Sequence, residues 1–81
     1  MSTVTVQLFA SYAEMLGAAT VEIPLAAGST VKDLIHSIRS LPGASSLPDV
    51  PRVAINRSFA NADQLLDASD EIALIPPVAG G

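Results

Sequence analysis

The chain has 81 residues, enough for one small domain but with too little interior for a deep catalytic cleft. Its net charge is −4 and it has only four basic residues, so it cannot neutralise a run of phosphates and we expect no nucleic-acid partner. The absence of cysteine excludes disulfides and thiolate metal sites, and a single histidine argues against a metal centre or a catalytic triad.

No export signal or membrane span is expected. Residues 1–5 lack the basic and apolar regions of a signal peptide. The longest apolar stretch, residues 72–81, contains two prolines and is far shorter than the roughly 20 residues that cross a bilayer. The sequence therefore predicts a cytoplasmic protein without membrane contact.

Two alternating segments predict a β-hairpin early in the chain. Val4, Val6 and Leu8 alternate with residues of the opposite face, the pattern of a half-buried strand. Residues 20–24 alternate in the same way, and pairing back onto the first strand is the economical arrangement. We expect Pro24 to end the second strand.

A short helix is predicted between these strands, over residues 12–16. Ser11 and Glu14 have the spacing of a capping box, and Gly17 stands where a terminating glycine belongs. This segment is expected to add one or two helical turns.

Residues 28–41 carry the clearest pattern, an apolar stripe along one face of a helix. The stripe consists of Val31, Leu34, Ile35, Ile38 and Leu41. Thr30 followed by Asp33 is a helix start signal, and Pro42 with Gly43 ends the helix. The proline-rich residues 42–51 that follow are predicted to form a loop.

The second half of the chain predicts a third and a last main strand. Residues 52–56 and 71–75 have strand patterns, whereas residues 57–68 fit a short strand and a turn less clearly. This order predicts an α+β, ubiquitin-like β-grasp fold: a mixed four- to five-stranded sheet, central first and last strands, and one main helix. Residues 1–75 would form the domain and residues 76–81 an extended Gly-Gly tail.

Side chains able to do chemistry inside the domain have simpler interpretations. His36 lies opposite the apolar stripe and is interpreted as a solvated helix residue. Asp67, Asp70 and Glu71 could bind a cation, but a solvated turn before the last strand is favoured. Catalysis within the domain is not supported.

The C-terminal residues are a different kind of candidate. Pro76 and Pro77 favour an extended tail, and Gly80 and Gly81 make its end thin enough for a narrow tunnel in a partner. The Gly81 carboxylate is the reactive group that such a tail could deliver. A bare Gly-Gly end is more often simply frayed, but the fold pattern before it favours the functional interpretation.

Residues 53–56, 70–73 and 75–81 resemble the small, sulfur-carrying subunits of molybdopterin synthase. The Pro-Pro-Val-x-Gly-Gly ending is the most specific part of the resemblance, which extends over essentially the whole chain. The family shares the β-grasp fold with the thiamine-pathway sulfur carrier and ubiquitin. One departure is Ala68-Ser69 in place of the usual Asp-Gly; if that turn needs a positive φ, Ser69 is strained.

The resemblance implies a sulfur-transfer mechanism in molybdenum cofactor biosynthesis. An activating enzyme would use ATP to adenylate the Gly81 carboxyl, and a persulfide from a sulfur donor protein would convert it to a thiocarboxylate. The large subunit, in a heterotetrameric complex, would receive the tail, and the sulfur would attack cyclic pyranopterin monophosphate. The catalytic side chains would belong to the large subunit. The carrier itself would bind no cofactor.

The strand phase also predicts a docking surface. Phe9 and Ile75 are expected to face away from the helix, next to the root of the tail. Phe59 fits either this surface or a small satellite core under residues 57–68. Together with the tail residues Pro76, Pro77 and Val78, these residues are predicted to contact the large subunit.

Three other functions are considered. A sulfur carrier for thiamine thiazole synthesis usually lacks the Pro-Pro-Val element of residues 76–78. A ubiquitin-like protein modifier would form isopeptide bonds through its C-terminus; Lys32, the only lysine, would limit self-linked chains to one site. A non-catalytic binding module would keep its function with a blocked C-terminus.

Overall fold

The computed structural model describes residues 2–47 and 51–76, which form one mixed sheet with helices on one side. The strands are β1 (Ser2–Leu8), β2 (Thr20–Leu25), β3 (Arg52–Ile55), β4 (Ser58–Phe59) and β5 (Ile72–Ile75). The helices are α1 (Ala10–Leu16) and α2 (Val31–Arg39), and a single 3-10 turn spans Ala44–Ser46.

The five strands lie in the order β2-β1-β5-β3-β4. β1 and β5 pair in parallel, whereas β1 with β2, β3 with β5 and β3 with β4 pair antiparallel. The predicted hairpin, the mixed sheet and the adjacent inner positions of the first and last strands are therefore confirmed.

Helix α2 covers one face of the sheet and builds the core with it. Its side chains at Val31, Leu34, Ile35 and Ile38 are buried in one core with inward-facing residues of β1, β2, β3 and β5, whereas Leu41 is only partly buried. The predicted start is also confirmed, since Thr30 and Asp33 form a reciprocal capping box. The helix is shorter than the predicted 28–41.

The predicted capping box of the first helix is wrong. Helix α1 begins at Ala10 with Phe9 as its N-cap and no side-chain cap, so Ser11 already lies inside the first turn. Gly17 does end the helix, with φ of 72°. β2 runs through Pro24 to Leu25, because β2 is an edge strand, where the missing N–H of proline is tolerated.

The segment 57–68 contains β4 and an isolated β-bridge to the residue that caps α2. A two-residue turn at Asn56 and Arg57 joins β3 to β4, and an isolated bridge pairs Thr30 with Leu65. Ser69 is not among the described residues with positive φ, so the turn before β5 carries no left-handed strain at Ser69.

Candidate functional site

The face of the sheet opposite α2 is open and holds the candidate site. The strand alternation that buries Val4, Val6 and Leu8 directs Thr3, Thr5 and Gln7 to this side. Phe9, directly after β1, is 45% exposed, and Phe59 on β4 is 65% exposed. Aromatic side chains this exposed are unusual in a small domain and indicate a binding surface.

A shallow cavity of about 280 Å³ lies on the open face. Its lining is formed by Gln7, Phe9, Ala54, Arg57, Phe59, Glu71, Ala73 and Ile75. We call the apolar members of this lining, Phe9, Ala54, Phe59, Ala73 and Ile75, the open-face patch. The structure thus brings together Phe9, Ile75 and Phe59, and Phe59 does not lie in a satellite core.

The strand register explains the shape of the cavity. Ala73 of β5 pairs with Ala54 of β3, and Ala54 pairs with Phe59 of β4. Two small side chains therefore form the floor between larger neighbours at Phe9, Phe59 and Ile75. Ile75 is half-buried, so its side chain is less solvated than the strand alternation alone predicts.

Arg52 marks the end of the patch from which the tail leaves. It pairs with Ile75 across β3 and β5, and its guanidinium carbon lies 4.9 Å from the centre of the Phe59 ring. A guanidinium over an aromatic face at this distance makes a cation–π contact, which favours one position of the exposed ring. This contact could not be predicted from the sequence, because residues 57–68 show no clear strand period.

The opposite end of the patch is held by hydrogen bonds from Asn56. Its side chain donates from Nδ2 to Asp70 Oδ1 at 3.1 Å and accepts from the Glu71 amide at 2.9 Å. The Asn56 amide in turn donates to the Glu71 carbonyl at 2.7 Å. These bonds join the β3–β4 turn to the segment entering β5, and sequence reasoning missed them because the partners are 14 and 15 residues apart.

The acidic residues before β5 act as hydrogen-bond acceptors in a turn. Asp70 Oδ2 accepts from the Asp67 amide at 2.9 Å, and Asp67 accepts from the Ser69 hydroxyl. The Ser69 hydrogen bond is the main reason that the pKa of Asp67 lies below its usual value. Within residues 2–47 and 51–76, no group of three acidic or histidine side chains could hold a metal ion.

Pro76 continues directly from β5 and is half-buried. The other predicted tail residues, Pro77, Val78, Gly80 and Gly81, lie outside the described residues. The predictions that Gly81 carries the reactive carboxyl and that Gly80 thins the tail therefore stay predictions. The root of the tail lies beside the open-face patch, at the Arg52 end.

Two further side chains with titratable groups, His36 and Tyr12, lie outside this face. His36 is exposed on α2. Tyr12 is buried, its hydroxyl has no hydrogen-bond partner, and burial raises its pKa. Among the described helices, none is long and apolar enough to pass through a membrane.

Comparisons with known proteins identify the family of the chain. The model of the ThiS family matches residues 6–81. A molybdopterin synthase sulfur carrier subunit from Dictyostelium discoideum is 37% identical over 78 residues, covering 91% of this chain and 91% of that protein.

Solved structures show the same fold. Small archaeal modifier protein 1 from Haloferax volcanii has a TM-score of 0.83 and 30% identity, covering 96% of this chain and all of that one. One chain of the complex between subunits 1 and 2 of molybdopterin-converting factor from Helicobacter pylori also matches. It has a TM-score of 0.71 and 25% identity, covering 98% of this chain and 99% of that one. The predicted ubiquitin-like β-grasp fold is thereby confirmed.

Proposed function

This chain belongs to the ThiS family, and we propose that it is the sulfur carrier of a molybdopterin synthase, acting through Gly81. The observation that carries the proposal is the relative from Dictyostelium discoideum, which is named a molybdopterin synthase sulfur carrier subunit and matches nearly the whole chain. The protein would supply sulfur to molybdenum cofactor biosynthesis.

The chemistry begins with activation of a poor electrophile. The Gly81 carboxylate attacks the α-phosphorus of ATP on an activating enzyme, which forms an acyl adenylate and releases pyrophosphate. A persulfide on a sulfur donor protein displaces AMP, and a thiol then cleaves the S–S bond and leaves a thiocarboxylate on Gly81. The cysteine-free carrier can hold sulfur in this way because the sulfur replaces an oxygen of its own terminus.

Transfer then takes place on a second partner. The tail enters the active site of the large subunit, where the thiocarboxylate sulfur attacks cyclic pyranopterin monophosphate. Two such deliveries supply both sulfurs of the dithiolene. Catalytic side chains come from the large subunit, and the part of the carrier described here presents an apolar docking surface.

The open-face patch supports a docking role for the carrier, with catalysis on the large subunit. Phe9, Phe59 and Ile75 lie beside the root of the tail, so a partner that covers them holds the emerging chain at a set position. Pro76, Pro77 and Val78 would extend the contact into the partner's tunnel. Burying exposed aromatic surface is a common source of binding energy at the centre of interfaces.

The intact mass of the protein purified from its own cells tests the proposal. We expect a fraction whose mass increases by an oxygen-to-sulfur replacement, located at Gly81 by fragmentation. Deleting Gly81, or adding one residue after it, should abolish both this species and pterin sulfuration while the circular dichroism spectrum stays unchanged. A variant extended by one residue that makes product without being trimmed would contradict the proposal.

A second function is favoured by one observation, the likeness to small archaeal modifier protein 1. A modifier would join its terminal carboxyl to lysines of other proteins. Immunoblots of cell extract distinguish the two functions, since a modifier forms covalent conjugates of higher mass that disappear when Gly81 is deleted. A pure sulfur carrier gives the free protein alone.

A further inference from the structure

The turn between β3 and β4 contains an unexpected backbone conformation. Asn56 has φ of 52° and Arg57 has φ of 72°, and they are the two non-glycine residues with positive φ in the described part of the chain. A two-residue hairpin with two positive φ values is a type I′ turn, in which Asn at the first position is favoured and Gly at the second. Arg57 therefore occupies a position where its side chain strains the backbone.

Contacts within the chain do not explain this choice. Arg57 Nε lies 3.7 Å from Glu71 Oε1, and the two side chains are 88% and 49% exposed. An ion pair so long and so exposed is too weak to offset a left-handed backbone. Backbone strain that no contact within the chain offsets is found mostly at functional positions.

Arg57 lies at the opposite end of the open-face patch from Arg52. It lines the open-face cavity at the end where Ile55 pairs with Ile72, whereas Arg52 pairs with Ile75 at the tail end. These ends are separated by three residues of β5, about 10 Å. Two of the four basic residues in a chain of net charge −4 thus bracket the open-face patch.

We propose that Arg57 determines the specificity of docking by pairing with a carboxylate group of the large subunit when the open-face patch is covered. The inference rests on the proposed function and adds a charge partner to the apolar contact. Arg57 lies at the end of the patch away from Ile75, about 10 Å along β5 from the point where the tail begins. A partner that covers the patch therefore meets Arg57 with its body, and an acidic side chain there is the counterpart that we assign.

Pairing with a carboxylate of the partner would explain why arginine occupies this strained position in the turn. Glu71 approaches the guanidinium at Nε, and an 88% exposed side chain leaves further N–H donors facing outward for a second carboxylate. Docking removes water from this pair and strengthens it relative to the free protein. Glycine would relax the turn but would remove the charge.

The test compares binding of the purified large subunit from the same organism to four carriers, by calorimetry at low and high ionic strength. The carriers are wild type, Arg57→Gln, Arg57→Gly and the matched control Arg39→Gln, which removes one exposed positive charge from α2 instead. Melting temperatures of the free carriers are measured in parallel.

We expect Arg57→Gln and Arg57→Gly to weaken binding by roughly tenfold at low salt, with a smaller loss at high salt, and Arg39→Gln to change it less than about twofold. Arg57→Gly should also melt about 3 °C higher than wild type, since the turn is relaxed. Weaker binding with greater stability would show that the arginine serves the partner.

Several results would overturn the inference. If Arg57→Gln binds like wild type, or no more weakly than Arg39→Gln, Arg57 contributes only to net charge. If Arg57→Gly melts below wild type, the arginine is needed by the fold itself. If wild type does not bind the large subunit at all, the proposed function fails together with the inference, which distinguishes this outcome from the others.

Discussion

Neighbouring residues of β1 and β5 face opposite sides of one sheet and meet different surroundings. Val6, Ile72 and Leu74 are fully buried beneath α2, whereas Phe9 and Ile75 lie on the open face. Both of these sets of side chains are apolar, so hydrophobicity alone does not distinguish them. The difference is that the helix-covered face packs against other parts of the chain. The open-face patch has two alanines as its floor, and neither of the described helices, α1 and α2, lies over it.

The largest effect should come from the helix-covered face. Leu34→Ala and Ile38→Ala each remove a fully buried side chain and should lower the free energy of unfolding by about 2–5 kcal/mol. The free energy of unfolding of a domain this small is itself only a few kcal/mol, so we expect either variant to be partly unfolded. Urea denaturation followed by circular dichroism measures the change.

Phe59→Ala is the matched control from the open face, because it truncates a larger but 65% exposed side chain. It should change the free energy of unfolding by about 0.5 kcal/mol or less. The comparison of the two faces fails if Phe59→Ala destabilises as much as Leu34→Ala, or if both core variants remain within about 0.5 kcal/mol of wild type.

The next effect should appear in binding and not in stability. Phe59→Asp places a charge in the open-face patch and should weaken binding of the large subunit by at least about 2 kcal/mol, roughly thirtyfold in Kd. The side chain is exposed in the free protein, so the fold should tolerate the change. Calorimetry measures the affinity, and circular dichroism checks the fold.

Leu65→Asp provides the control for this variant. Leu65 is also 65% exposed, but it lies outside the cavity lining and bridges to Thr30 at the start of α2. The Leu65→Asp carrier should bind the large subunit with the affinity of wild type. If Leu65→Asp weakens binding and Phe59→Asp does not, the docking surface lies near the start of α2 instead.

The predictable parts of this molecule are those set by local periodicity. Period-two alternation assigned the faces of β1 and β5, and the i, i+3, i+4 spacing assigned the buried stripe of α2, because each pattern is contained in a few consecutive residues. The same alternation carried past β1 placed Phe9 on the open face. Half-burial of Ile75 depends on neighbouring strands, so alternation alone overestimated its exposure.

Features that depend on distant contacts could not be predicted. Phe59 lies on a two-residue strand, which is too short to show a period, and Arg57 takes its conformation from a turn whose pairing the sequence left open. The Ser11–Glu14 pattern was misleading because its spacing does not show whether a helix has already begun. The tail residues of the candidate site lie outside the described part of the chain.

The smallest effect should come from the turn that leads into β5, which belongs to neither face. The Ser69 hydroxyl donates to the Asp67 carboxylate and is the largest cause of its lowered pKa. Because this pKa is lower in the folded than in the unfolded chain, the carboxylate stabilises the fold above its unfolded pKa. That contribution is lost as the pH falls through the folded pKa.

Ser69→Ala should therefore raise the pKa of Asp67 and reduce the acid dependence of stability between those two pKa values. An NMR titration of the Asp67 carboxyl measures the shift directly. Ser40→Ala is the control, because the Ser40 hydroxyl donates to the His36 carbonyl and not to a carboxylate. An unchanged Asp67 pKa in Ser69→Ala would mean that backbone amides hold the charge. Binding of the large subunit near neutral pH should be the same in both variants, since neither Ser69 nor Ser40 lines the open-face cavity.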